Sequence, residues 1–415
     1  MSEWQKSTLG QLAEVQTGPF GSQLKNEQYI TGGTPVVTVE HIKDFLIEDF
    51  VYPSVTDEDK SRLKKYTLKP GDIVFSRVGS VDLSALVKKH QSGWLFSSRM
   101  LRVRVKKQLD TDFLSYYLRQ PAIRQFIINI SVGSTMPSIN TEILKSLPIV
   151  YCSLEEQKQI AAVLTCLDRS ISNLRRQNET LEAIAQTLFK HWFVDFEFPN
   201  ADGKPYKSSG GEMRSSELGE IPVGWRVGTL GDVVKINAES ISKDYQYKEI
   251  EYVDISSVGV GVLEGTTSYQ LKQSPSRARR LVKHGDVIWS GVRPNRKSYL
   301  CISHPPKNLV VSTGFVTLTP DLIPSSYLYS WVTTDFFVNY LTLNASGSAY
   351  PAVKAEHFEI AEVLLPDKLT LSRFHAVIDP MREKIYQNSR QIQTLTQTRD
   401  TLLPKLMSGQ LRIKP

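Results

Sequence analysis

The residues of this chain best suited to chemistry are basic and small polar ones gathered in short segments. Arg77 and Ser80 flank Gly79 directly after a Val/Phe-rich run, with Lys88, Lys89 and Arg99 beyond. A second set, Arg277, Arg279, Arg280, Arg293, Arg296 and Lys297, stands in the other half of the chain. Two Gly-Ser phrases, SVGSTMP (Ser131 to Pro137) and ASGSAYP (Ala345 to Pro351), add Ser134, Thr135, Ser348 and Tyr350. Arg and Lys position phosphates, and Arg, Ser and Thr also reach donor and acceptor groups on base edges. Gly133 and Gly347 let backbone amides approach a phosphate closely. The chemistry these types suit is binding of a polyanion with reading of bases; for any single residue the alternative is a solvated charged face.

Catalytic phrases are missing. There is no GxxxxGK[ST] loop to cradle nucleotide phosphates, and GVGV at Gly259 to Val262 reads as a turn. Cys152, Cys166 and Cys301 form no CxxC, and the seven histidines are scattered singly, so neither a disulfide framework, a zinc site nor a Cys-His pair is expected. An Asn or Asp followed by two prolines, expected of a base-methylating enzyme, is absent; His304-Pro305-Pro306 lacks the amide. No acidic cluster with a following lysine suggests a nuclease metal site. A net charge of +7 permits a polyanionic partner without demanding one. The start, MSEWQKSTLG, lacks a basic segment followed by an apolar one, and no run of 18 apolar residues occurs, so the expected compartment is the cytoplasm.

The elements that must hold these residues repeat. KPGDIVFS (Lys69 to Ser76) is matched by KHGDVIWS (Lys283 to Ser290), and the two Gly-Ser phrases have the same separation of 214 residues. WQKSTLGQLAEVQTG from Trp4 is matched by WRVGTLGDVVKIN from Trp225. A unit of about 200 residues is therefore duplicated. Within each unit, Val-, Ile- and aromatic-rich runs at 35–39, 72–76 and 100–105, then 251–255, 286–290 and 309–319, read as strands. Residues 112–130 and 325–343 carry apolar residues at helical spacing.

Each unit ends in a long helix. Ile160, Leu164, Leu167, Ile171, Leu174, Asn178, Leu181, Ala185, Leu188 and Trp192 alternate four and three apart, the seam of a coiled coil. Phe374, Ile378, Met381, Ile385, Asn388, Ile392, Leu395, Arg399, Leu402 and Leu406 fall in the same register. Ser153 and Thr370 are candidate caps, and Pro404 predicts a kink or stop. The two helices can pair parallel or antiparallel; Asn178 and Asn388 restrict register without fixing direction. Residues 199–224, rich in Pro, Gly and Ser, read as a linker. The predicted division is 1–152 and 225–367 for the two mixed globular domains, 153–198 and 368–415 for the helices, and 199–224 between. On residues alone, a DNA-binding protein, an enzyme with unrecognised motifs and a coiled-coil adaptor all stay open.

Four phrases narrow this. TGPFGSQLK (Thr17 to Lys25), FKHWFVDFEFP (Phe189 to Pro199), SELGEIPVGW (Ser216 to Trp225) and LLPKLMSGQLRI (Leu402 to Ile413) resemble the DNA specificity subunit of bacterial type I restriction-modification systems. The resemblance covers essentially the whole chain. It implies an α+β fold with two target recognition domains, a pseudo-twofold internal repeat, and long helices pairing as an antiparallel coiled-coil spacer. It implies no catalysis and no cofactor in this chain. The partners it implies are double-stranded DNA, two methyltransferase subunits that bind S-adenosylmethionine and methylate adenine, and restriction subunits that use ATP and Mg. Gly21, Ser22 and Lys25 join the candidate DNA contacts in the first half only, because the second half lacks the TGPFGS phrase. Arg399 and Pro404 have no like residue in the first helix, so the two helix ends are expected to differ.

Overall fold

The computed structural model describes residues 4–21, 23–48 and 51–413. The chain forms two compact units, one comprising residues 1–173 and 391–415 and the other residues 174–390. The two long helices, Leu154–Phe193 and Lys368–Met407, are each 40 residues long and each contributes to both units. Among the described residues no helix is long and apolar enough to cross a membrane.

In the first unit, β1 (Gln5–Thr8) pairs antiparallel with β8 (Pro148–Tyr151). Strands β2 (Ala13–Thr17), β4 (Ile73–Ser76), β5 (Ser84–Leu86) and β7 (Met100–Val105) form an antiparallel sheet in the order β2-β7-β4-β5. A smaller sheet places β3 (Thr34–Val37) parallel to β6 (Leu95–Phe96) and antiparallel to Ser54–Val55. All four residues of β4 are buried although an antiparallel strand usually exposes one face. Both faces are covered here. Ile73 and Phe75 pack with Phe113, Leu118, Ile160 and Leu164, whereas Val74 packs with Val36, Val37 and Phe96. The segment 112–130 is two helices, Thr111–Arg119 and Pro121–Ile130. Asp110 caps the first by accepting from the Phe113 amide at 2.9 Å, and Pro121 opens the second, where its missing N–H costs nothing.

The same core takes in both long helices. Ile160 and Leu164 share it with Leu403, Leu406 and Met407, and Asp168 accepts from Arg399 at 2.9 Å. Rising numbers on one helix meet falling numbers on the other, so within this unit they pair antiparallel. The helix runs through Pro404 to Met407, so the stop expected there as one of two outcomes does not occur. It forgoes the bond to the Asp400 carbonyl because Leu403, Leu406 and Met407 are buried by the unit's core. Pro380 likewise lies inside this helix.

Asp168 also accepts from Arg119 at 2.7 Å and from the Tyr116 hydroxyl at 2.8 Å. Burial opposes its ionisation, but the hydrogen bond from Arg399, the Arg119 charge and the Tyr116 hydroxyl outweigh it and hold the carboxyl below its ordinary value. A depressed carboxyl contributes stability that is present above its unfolded value and lost as pH falls through the folded one. Asp168→Asn is therefore expected to lower stability near neutral pH by about 1–3 kcal/mol. The difference should begin to shrink below about pH 4 and close only as the pH falls through the lowered folded value. Urea unfolding monitored across that range checks this, and a pH-independent difference would overturn it.

The second unit repeats the first. Strand β9 (Arg226–Thr229) pairs with β18 (Glu362–Leu365) as β1 does with β8. Strands β10 (Val234–Ile236), β14 (Val287–Ser290), β15 (Tyr299–Cys301) and β17 (Phe315–Pro320) form the sheet β10-β17-β14-β15, the order of the first unit. Strands β11 (Glu249–Val253), β12 (Thr267–Gln270), β13 (Ala278–Leu281) and β16 (Leu309–Ser312) form a second sheet, β12-β11-β16-β13, whose β11 and β16 are parallel. The run 309–319 is thus two strands in two sheets. The chain turns at Thr313-Gly314, where a Cβ on Gly314 would stand 2.3 Å from the Ile255 side chain. Residues 325–343 are two helices, Ser325–Val332 and Asp335–Leu343.

An aromatic core joins this sheet to the helices. Trp289 is fully buried, its indole N–H donating to the Val332 carbonyl at 2.9 Å. Phe189 and Trp192 pack on Phe374 at 6.0 and 5.8 Å between ring centroids. Asn388 Nδ2 donates to Asn178 Oδ1 at 2.9 Å. The pairing is antiparallel in this unit too, and every seam residue predicted on either helix is buried or half-buried. Asp367 caps the second long helix, accepting from the Thr370 amide and hydroxyl at 2.9 and 2.6 Å, so Thr370 is not the cap. Ser153 caps the first, accepting from the Glu156 amide at 3.4 Å. The predicted linker 199–224 is folded: Met213–Ser216 and Gly219–Pro222 form a hairpin, and Phe198 stacks between Tyr206 and Trp225 at 4.6 and 4.7 Å. Its Gly, Pro and Ser make turns around three aromatics rather than a free tether.

Candidate nucleic-acid interface

The GD phrases that mark the repeat are structural. Asp72 and Asp286 each accept from the backbone amide three residues earlier, at 2.7 and 2.8 Å, closing the turn into β4 and β14. Asp72 also holds Arg104 through two bonds of 2.7 Å. Asp286 has no such partner, and burial raises its carboxyl above the ordinary value.

The opposite end of each four-stranded sheet carries the candidate contacts. In the first unit, β4 leads into a loop at 77–80, and the Gly-Ser loop docks on it. The Gly79 amide donates to Pro137 and the Ile139 amide to Arg77, at 2.8 and 2.9 Å. The Arg77 amide donates to Arg99 at 2.8 Å, which brings the segment before β7 to the same place. Strand β2 ends here, and its following loop sets Phe20, 53% exposed, 5.8 Å from the Arg77 guanidinium. Arg77, Ser80, Arg99, Ser134 and Thr135 thus come together, four of them exposed and Arg77 half-buried. Gly21 follows in open space, and exposed Lys25 lies just beyond. Ser22 lies outside the described residues. Asp82, in the same connection, pairs with Arg124 of the neighbouring helix.

Lys88 and Lys89 do not join this cluster. The β4-β5 hairpin pairs Ile73 with Leu86, so these exposed lysines lie at the other end of the sheet, beside the GD turn. Proximity in sequence to Arg77 misleads because the hairpin reverses the chain between them.

The second unit repeats the arrangement with different side chains. The Arg293 amide donates to Pro351 and the Val353 amide to Gly291, at 2.7 and 2.8 Å. The Arg293 guanidinium lies 4.5 Å from the Tyr350 ring centroid and donates to the Ala349 carbonyl at 3.2 Å. Arg293 and Lys297 both adopt left-handed backbone, at φ 52° and 55°, a geometry that costs most residues free energy. Lys297 pairs with Asp335 at 2.8 Å, tying the loop to the neighbouring helix with the charge polarity opposite to Asp82 and Arg124. That bond lowers the Asp335 carboxyl. Arg296 and Ser348 are exposed on the same loops. Arg277 joins them, its carbonyl accepting from the Thr313 amide at 2.8 Å while the Gly291 amide donates to Gly314. Arg279 and Arg280 run away along β13; Arg279 bonds the Ala278 carbonyl at 2.8 Å, and burial lowers Arg280.

Each cluster thus combines glycine turns, exposed hydroxyls and arginines on a rigid sheet end, which suits phosphate positioning and base reading. No group of three or more His, Cys, Asp or Glu among the described residues is placed to hold a metal ion. Burial pushes the Cys152 thiol up to about 12, so it is no nucleophile near neutral pH. Phe20 and Met136, both exposed here, carry no chemical signal in the sequence, where an isolated apolar residue reads as core.

Residues 1–183 match the model of the type I restriction modification DNA specificity domain. Over 99% of its length the chain is 25% identical to the type I restriction enzyme MjaIX specificity subunit of Methanocaldococcus jannaschii, covering 94% of that protein. It is 23% identical to the HindI specificity subunit of Haemophilus influenzae, with 99% of this chain and all of that protein covered. The crystal structure of the type I restriction-modification S subunit from M. genitalium shares the fold, with a TM-score of 0.60 and 17% identity over 98% of this chain and 96% of that one. The family match covers the first 183 residues and the matches to named specificity subunits cover 99% of the chain, so together with the duplicated sheet and the antiparallel helices they make this chain similar over its length to the DNA specificity subunits of type I restriction-modification systems.

Proposed function

We propose that this subunit reads a split DNA target, with the loop cluster of each unit contacting one half-site and the paired long helices acting as the spacer. The observation that carries this reading is the duplicated cluster itself. The same Gly-Ser loop docks on the same post-strand loop in both units, yet the side chains differ. Arg77, Ser80, Ser134 and Thr135 face one half-site; Arg293, Arg296, Ser348 and Tyr350 face the other. Different readers imply different half-sites, so the target is asymmetric.

The chain contributes recognition and no bond-making chemistry. Two methyltransferase subunits, using S-adenosylmethionine, act on adenine at the site this chain selects, and restriction subunits using ATP and Mg join them. Flipping of the adenine falls to the methyltransferases. Lys25, Arg99 and Arg277 border the clusters as phosphate contacts, whereas Lys88, Lys89, Arg279 and Arg280 stand apart from the loops and contribute least.

Binding of the reconstituted complex to duplex DNA across salt concentrations tests this. The logarithm of the binding constant should fall linearly with the logarithm of salt. Arg77→Ala and Arg293→Ala should each reduce that slope by about one if they contact phosphate, and relax one half-site if they read a base. Methyl transfer by the purified chain alone would overturn the reading.

A further inference from the structure

The two Gly-Ser loops share a geometry whose consequence lies in a single position. Each is closed by reciprocal backbone bonds, Val132 with Ser138 at 2.9 and 2.8 Å and Ser346 with Ala352 at 3.0 and 2.9 Å. Each turns on a left-handed glycine, Gly133 at φ 102° and Gly347 at φ 104°. A Cβ there would stand 2.8 Å from the Met136 carbonyl oxygen or 3.2 Å from that of Tyr350. Each ends on a proline, Pro137 or Pro351, which holds the preceding residue extended. That preceding residue is large, apolar and outward: Met136 is 66% exposed and Tyr350 68% exposed.

One exposed apolar side chain is unremarkable on a protein surface. The same position exposed in both repeats, on a loop fixed by a left-handed glycine, a proline and reciprocal backbone bonds, is a different observation; in the second unit the Arg293 guanidinium also lies 4.5 Å from the Tyr350 ring centroid. The fixed loop geometry holds that side chain outward. Its neighbours are hydroxyls and amides that suit a phosphate backbone, so the partner that meets the tip is apolar at its centre and anionic around it. A DNA groove has that pattern: thymine methyl groups and base-step faces between two phosphate rails.

We propose that Met136 and Tyr350 are the specificity-determining residues of the first and second half-sites, each packing against base-pair edges or a base step within its own groove. The proposal rests on the DNA-reading function above. Met136 offers a flexible thioether that fits a thymine methyl or slips into a flexible step. Tyr350 offers a ring held by Arg293 and a hydroxyl that donates or accepts.

The test uses the full chain in complex with its methyltransferase partner. Duplexes are first selected by the wild-type complex from a pool with randomised sequence, and Met136→Ser and Tyr350→Ser are then compared on the selected duplex and by repeating the selection. Because both side chains are exposed, the untouched half-site serves as an internal control for folding. Met136→Ser is expected to lose about 10- to 100-fold in affinity and to relax preference at one or two base pairs of one half-site only, with the salt slope unchanged. Tyr350→Ser should do the same at the other half-site. Full affinity with unchanged base preference in either variant overturns the proposal, as does a uniform loss over all sequences with a smaller salt slope, which would make the tip a backbone contact. If the wild-type complex selects no sequence at all, the DNA-reading function itself fails.

Discussion

Inserting one heptad into both long helices, between Ile171 and Asn178 in the first and between Asn388 and Leu395 in the second, is expected to lengthen the unspecific spacer of the DNA target by about 3 base pairs. Seven residues add about 10 Å of helix, and successive base pairs stand about 3.4 Å apart. Both insertions are needed. The seam pairs rising with falling numbers, so an insertion in one helix alone would leave seven residues without opposing seam positions and shift Asp168 away from Arg399 or Asn178 away from Asn388. Methylome sequencing of a host carrying the double insertion reads the result directly. The half-sites should keep their sequences, because neither loop cluster is touched, and only their separation should change. An unchanged spacer would show that the helices do not set the distance.

Replacing both seam asparagines with leucine is expected to stabilise the helix pair and broaden its register. Asn388 is fully buried; its amide nitrogen donates to Asn178 Oδ1 at 2.9 Å and to Gln177 Oε1 at 3.3 Å, while its own Oδ1 has no partner. Asn178→Leu alone removes the shorter bond and leaves the buried amide poorly satisfied, costing about 1–3 kcal/mol. Asn178→Leu with Asn388→Leu removes the polar pair together and adds apolar area to a continuous seam, so the double variant should unfold at higher denaturant than either single one. A coupling of about 1 kcal/mol or more is the measure of the pair. With the polar pair gone, leucines can meet leucines after a one-heptad slip, and a second spacer class should appear in the methylome. Additive single-variant effects with one sharp spacer would refute this role for the pair.

Periodicity carried the helices in full. Twenty seam positions read from spacing are all buried or half-buried, because a coiled-coil stripe is a local pattern in which each residue reports its own face. Direction was different: Asn178 and Asn388 fit either orientation by type, and successive contacts within each unit decide it, Ile160 and Leu164 with Leu406 then Asp168 with Arg399 in one, and Asn178 with Asn388 then Phe189 and Trp192 with Phe374 in the other. Pro404 does not stop its helix because local propensity lost to burial of Leu403, Leu406 and Met407. In residues 199–224 composition registered the turns but not the hairpin or the stack of Phe198 between Tyr206 and Trp225, which depend on contacts across the segment.

At the loop clusters, residue type alone marked Arg77, Ser134, Thr135, Arg293, Ser348 and Tyr350. It also marked Lys88 and Lys89, which the hairpin carries to the far end of the sheet, and it passed over Phe20 and Met136. By itself the sequence determined the duplication, the two seams, the Gly-Ser phrases and the phrases that carry the family resemblance, because all of these are repeats or runs visible along one dimension. Tertiary structure alone decided which arginines share a sheet end, which apolar residues face outward and which way the helices run. Those depend on contacts between residues far apart in the chain, and such contacts leave no signal at either residue.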